Sequence, residues 1–179
     1  MRSKDKIYEE FLVASARLGD RQSLDALIKY RSPKLFSHAC GLMGNRDEAA
    51  DIVQETWLEI TRSLPKLKEP RAFSTWAYRI VSRRCAKAIG RNIKHRKIAA
   101  QQVNLPASEP VDTTQVQAIG WAISNLPAGQ AAAIRLFYLE EFSVREVAAA
   151  LDIPIGTVKT RLMHARKSLK SILEGDNDV

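Results

Sequence analysis

The sequence predicts an all-α protein of two small helical domains joined by a flexible linker. Three observations carry this reading. Apolar residues recur at helical spacing along most of the chain, whereas the alternation of a half-buried strand is scarce. Residues 99–114 lose that periodicity and contain Pro106 and Pro110, the texture of a linker. Residues 143–162 have the pattern of two short helices joined by a tight turn. The expected boundaries are a first domain over 1–97, a linker over 98–113 and a second domain over 114–179.

In the first domain, Ile7, Phe11, Leu12 and Ser15 begin an amphipathic helix that ends near Gly19. Asp20 can cap the next helix, which runs through Leu24, Leu27, Ile28, Leu35 and Ala39 and should be kinked or interrupted at Pro33. Asn45 or Asp47 can start a third, with Ala49, Ile52, Val53, Thr56, Trp57 and Ile60 on its buried face. The acids of its first turn suit the helix dipole. A two-proline loop leads to a fourth helix over roughly 71–94, carrying Phe73, Trp76, Ala77, Ile80, Val81 and Ala88 on or near one face. Beyond the linker, Val116, Ile119, Ala122 and Ile123 precede Leu126-Pro127, and Ala132, Ile134, Leu136, Phe137 and Leu139 follow. Ser143 and Glu146 form a capping box ahead of Val144, Val147, Ala148 and Leu151. After Asp152-Ile153-Pro154, a stripe of Ile155, Val158, Leu162, Ala165 and Leu169 marks the last helix.

Composition narrows the function. The 179 residues are 45% hydrophobic, enough for packed cores, and carry a net charge of +8. Residues 79–97 hold eight cations and no acid, which equals the whole excess. A second acid-free group, Lys159, Arg161, Arg166, Lys167 and Lys170, lies on the last helix, so two phosphate-contact sites are expected. No apolar run is long enough to insert in a membrane and no secretion signal opens the chain, so a cytoplasmic location is expected. Cys40 and Cys85 lack zinc spacing, and His38 with Cys40 is a weak metal signal. Neither a metal nor a cofactor is expected.

Two surfaces stand out besides the helix-turn-helix. Asp47, Asp51, Gln54 and Glu55 share one side of the third helix, either a solvated face or a docking surface for a basic protein. The fourth helix combines Phe73, Trp76 and Tyr78 with cations, a mixture suited to stacking unpaired bases while holding their backbone. On a wheel of about 100° per residue, Gly156, Thr160, Met163, His164 and Lys167 lie opposite the apolar stripe of the last helix, with Thr157 and Lys159 on their shoulders.

Taken in order, residues 47–58 (DEAADIVQETWL), residues 73–80 (FSTWAYRI), Leu126-Pro127 with Gln130, and residues 156–162 (GTVKTRL) with Ala165-Arg166 resemble a bacterial extracytoplasmic-function (ECF) RNA polymerase sigma factor of the sigma-70 family. The resemblance implies sigma domains 2 and 4 and no enzymatic activity. It implies that Asp51, Gln54 and Glu55, with Asp47 and Leu58 nearby, meet core RNA polymerase. The loop 65–72 and the helix after it would read the minus-ten element and hold its melted strand, through Lys66, Lys68, Arg71, Trp76, Tyr78, Arg79, Arg83, Arg84 and Lys87. An extruded base would need a pocket that recovers its unstacking energy. Gly156, Thr157, Lys159, Thr160, Met163, His164 and Lys167 would face the minus-thirty-five element. Lys159 can address a guanine edge or a phosphate, and Met163 a thymine methyl. Arg161 stands between base contact and a structural ion pair. An anti-sigma factor is the implied regulator. Many members have Asn and, four residues on, Asp where this chain has Arg83 and Lys87, a departure that favours phosphate attraction over an inherited minus-ten specificity.

The implied function is to bind core polymerase, direct it to specific promoters and assist their melting. An ordinary helix-turn-helix regulator would instead bind a palindrome tightly without polymerase. A metal-dependent nuclease is disfavoured because the acids form one helical strip with no histidine or lysine set beside it.

Overall fold

The computed structural model describes residues 4–98 and 115–174. Within them the regular elements are helices and helical turns: α1 (Lys4–Arg17), α2 (Arg21–Met43), α3 (Arg46–Ser63), α4 (Phe73–Ile98), α5 (Gln115–Ser124), α6 (Ala128–Ile134), α7 (Val144–Leu151) and α8 (Ile155–Glu174). The expected linker falls almost wholly outside the described residues. No helix among them is long and apolar enough to cross a membrane.

Local chemistry sets the breaks. Asp20 caps α2 by accepting from the Gln22 and Ser23 amides, each at 3.2 Å, and the Ser23 hydroxyl holds its carboxyl below the usual range. Gly44, at φ 68°, ends α2 in the left-handed conformation that glycine adopts without strain. Asn45 caps α3 through the Asp47 and Glu48 amides. Pro33 does not end α2, which continues past it with the ring exposed to solvent.

The first unit closes around Val13, Leu27, Leu35, Ile60, Phe73 and Val81, all fully buried. Phe73 sits between Trp57, 6.4 Å away, and Trp76, 6.1 Å away. All six apolar-face positions expected on α3 are buried. On α1 the expectation fails: Ile7 and Phe11 are exposed, and the buried face is Glu9, Leu12, Val13 and Ala16. The reason is a buried charge. Arg31 of α2, 5% exposed, donates to Glu9 of α1, to the Ser74 hydroxyl of α4 at 2.8 Å and to Glu140, ahead of α7, at 2.6 Å. Burial opposes its charge, but the two carboxylates outweigh burial and raise its pKa.

That ion cluster also joins the two units. α7 lies along α4, and Phe142 meets the Tyr78 ring edge-on at 5.5 Å. The second unit is built on Val147, Val158, Leu162 and Ala165. After α6 the chain widens into a π-type turn over Arg135–Leu139, closed by the Glu140 amide on the Arg135 carbonyl at 3.2 Å. The Ser143–Glu146 capping box is present, with contacts of 3.2 and 2.7 Å. Ile155, expected in the apolar stripe, is instead 44% exposed in the first turn of α8.

His38 is enclosed in the first core, paired with the Ser82 hydroxyl at 2.9 Å and edge-on to Tyr78 at 5.1 Å. Burial, assisted by the Arg135 cation, lowers its pKa to about 3. The unfolded chain therefore takes up a proton at His38 that the folded chain refuses. This contribution is fully present above about pH 6.5 and is lost as pH falls toward 3, at up to about 1.4 kcal/mol per pH unit. Urea unfolding of wild type and His38→Gln between pH 7.5 and 5 checks it. The wild type should lose about 1.4 kcal/mol per unit more than the variant in the acid half of that range.

Candidate functional site

The α3 strip is presented as the sequence suggests. Asp47, Asp51, Gln54 and Glu55 are exposed along one side, because their neighbours one and two positions away are tied into the core. Leu58, which the resemblance puts beside the acids, is 55% exposed and borders them. No hydrogen bond or ion pair among the described residues engages Asp51 or Gln54. Glu55 differs: its Oε2 accepts from Arg84 Nη1 at 2.5 Å.

The turn after α3 is fixed rather than loose. Leu64 is buried beneath it, Leu67 packs on the core, and Arg17 donates to the Lys68 carbonyl at 3.0 Å. Lys66, Lys68 and Arg71 are exposed there, Arg71 lying 3.6 Å from Glu10.

On α4 the expected nucleic-acid residues divide. Lys87 is exposed. Trp76 is half-buried against Phe73 and offers only part of its ring. Tyr78 requires correction: it is 2% exposed, enclosed by His38 and Phe142, with burial and Glu140 pushing its phenol pKa up, so it presents no face to a base in this arrangement. Arg79 is exposed but contacts Asp152, at the end of α7, at 2.9 Å. Arg83 and Arg84 turn back toward α3. Arg83 Nη2 reaches Glu59 Oε1 at 2.5 Å, and Arg84 Nε and Nη2 reach Glu59 Oε2 at 3.1 and 2.7 Å. Burial resists ionisation of Glu59, but the two guanidiniums win and lower its pKa. Glu59 was missed in the sequence, although it continues the acidic strip one turn beyond Glu55.

On α8 the expected reading face is open. Gly156, Lys159, Thr160, Met163, His164 and Lys167 are exposed and Thr157 is half-exposed, while Val158, Leu162 and Ala165 anchor the opposite side. The Thr160 hydroxyl donates to the Gly156 carbonyl at 3.0 Å. Arg161 is withdrawn: its guanidinium lies so close to Gly129 that a side chain there would collide with it. Arg166 stacks near Phe137 and Tyr138 and donates to the Tyr138 hydroxyl at 2.9 Å, which removes it from the reading face. Among the described residues no group of three His, Cys, Asp or Glu is placed to hold a metal.

Comparison with known proteins covers both units. Residues 27–94 match Sigma-70 region 2 and residues 117–169 match Sigma-70, region 4. The chain is 26% identical over 188 residues to the ECF RNA polymerase sigma-E factor of Haemophilus influenzae, covering 95% of this chain and 97% of that one. It is 27% identical over 177 residues to SigW of Bacillus subtilis, also an ECF RNA polymerase sigma factor, covering 90% and 94%. Among solved structures, the sigma factor RpoE from Bartonella quintana, in complex with the anti-sigma factor NepR, shares the fold with a TM-score of 0.70 at 23% identity, over 84% of this chain and 96% of that one. CnrH in complex with the cytosolic domain of CnrY gives 0.62 at 20% identity, over 94% and 99%.

Proposed function

From the premise that the chain belongs to the ECF group of the sigma-70 family and is an RNA polymerase sigma factor, without enzymatic activity, we propose how its surfaces divide the work. The α3 strip of Asp47, Asp51, Gln54, Glu55 and Leu58 docks on core polymerase. The turn carrying Lys66, Lys68 and Arg71, with Trp76, Arg79 and Lys87 of α4, holds the minus-ten element. The open face of α8 reads the minus-thirty-five element.

The observation that carries this reading is the exposure of two chemically opposite faces on adjacent helices. α3 offers carboxylates and a leucine, which suit a protein partner, while the turn and α4 offer cations and a partly open indole. An ordinary regulator has no use for the acidic strip. Simultaneous contact with both promoter elements requires α7 to leave α4, because Arg79 is held by Asp152 in the arrangement seen here. An anti-sigma partner that favours the closed arrangement would act on the same surfaces; the sigma factor RpoE from Bartonella quintana is in complex with an anti-sigma factor. The protein is placed in the cytoplasm, where core polymerase is.

The assignment of α8 is tested with Lys159→Ala. Lys159 is exposed, so its loss should spare the fold. If it meets a base edge, transcription should fall by about tenfold at promoters with the matching upstream base and little at variants of that base, with core affinity unchanged. An equal fall across all upstream sequences marks a phosphate contact instead.

A further inference from the structure

We propose that Arg84 is a positioning residue for polymerase docking, which holds Glu55 ready for a basic side chain of the partner, and is not a DNA contact. The proposal rests on the docking role given to α3.

Three observations support it. First, Arg84 is directed away from solvent: its side chain is 28% exposed and spans from α4 to two carboxylates of α3. Nη1 meets Glu55 Oε2 at 2.5 Å, while Nε and Nη2 converge on Glu59 Oε2. No N–H of this guanidinium that makes these contacts is available to a phosphate without breaking them. Second, the charges balance locally. Arg83 takes the other oxygen of Glu59, so Glu59 is satisfied by two guanidiniums, while Glu55 is held by Arg84 through one oxygen. The sequence departure that places an arginine at position 83 is thereby turned toward α3. Third, Glu55 remains open on its far side. Its side chain is 60% exposed, and Arg84 engages Oε2 alone.

Beside it lies a groove of about 270 Å³ lined by Glu55, Leu58, Glu59, Arg62, Ser63 and Arg84. Leu58 supplies an apolar wall at its rim. A lysine or arginine of the partner that approaches Glu55 from the Asp51 side, away from Arg62, meets the oxygen that Arg84 leaves open, one helical turn from the Asp51 carboxylate. A glutamate already fixed by Arg84 loses less rotamer freedom when that partner arrives, which tightens binding without adding a contact.

The test titrates the full-length chain, labelled with a fluorophore, with purified core polymerase. Arg84→Ala should weaken core affinity about fivefold and Glu55→Ala by a similar factor. The double variant should bind no worse than Glu55→Ala alone, because Arg84 acts through Glu55. Arg84→Lys, which keeps the charge but loses the planar reach to two carboxylates, should fall between wild type and Arg84→Ala. A merely structural role would give additive losses and a lowered melting temperature. Unchanged or tighter core binding by Arg84→Ala overturns the proposal, as does unchanged core binding accompanied by a loss of core-free duplex affinity. Asp51→Ala with Gln54→Ala separates the two levels. If that pair also leaves core affinity unchanged, the docking role of α3 fails; if it weakens binding and Arg84→Ala does not, only the positioning role fails.

Discussion

Arg31→Ala should destabilise the protein by about 3–5 kcal/mol, enough to unfold a chain of ordinary stability at moderate urea. The wild-type guanidinium is buried between Glu9 and Glu140, and it also donates to Ser74. Its removal leaves two nearly buried carboxylates facing each other with little water to replace their partner. The loss would measure the penalty of uncompensated charge, not the net worth of the cluster. Replacing Arg31, Glu9 and Glu140 together with Met, Leu and Leu should therefore recover most of the stability, by deleting the buried charges at once; Lys34, 3.4 Å from Glu140 and 42% exposed, can turn to water. Urea unfolding followed by circular dichroism compares the two. If Arg31→Ala unfolds within 1 kcal/mol of wild type, the cluster is not buried in solution as described.

Asp51→Ala with Gln54→Ala should weaken association with core polymerase by between tenfold and about a hundredfold while leaving unfolding unchanged. Both side chains are exposed and unengaged among the described residues, so truncation removes no internal contact. The buried side of α3, from Ala49 through Ile60, is untouched. A loss of affinity can therefore be assigned to the lost interface. The alternative, a solvated face, predicts the same stability and the same core affinity.

Local patterns were readable in the sequence and non-local ones were not. The buried face of α3, the caps at Asp20 and Ser143 and the open face of α8 follow from spacing and capping within a single helix, and each is present. The face of α1 was misjudged because its rotation is set by Arg31, on another helix, which draws Glu9 inward and leaves Ile7 and Phe11 outside. Tyr78 sits in a motif that suggests stacking, but its burial depends on Phe142, distant in sequence. Arg83 and Arg84 appeared as members of a cationic run because an acid partner on a neighbouring helix leaves no trace in local composition. α3 and α4 meet so that Glu55 and Glu59 neutralise them. The exposed strip of α3, the basic turn after it and the open face of α8 were legible, whereas the charge pairs that adjust each surface emerge only when helices are packed.

The central claim is that α3 joins the chain to polymerase and that the two units then act together on promoter DNA. The most direct measurement is transcription from a genomic fragment library with purified core polymerase, comparing wild type with Asp51→Ala and Gln54→Ala combined. The account predicts discrete transcripts that require both core and the intact α3 strip, with only weak DNA binding by the chain alone. Tight, sequence-specific duplex binding without core, together with no transcript dependent on the chain, would contradict it.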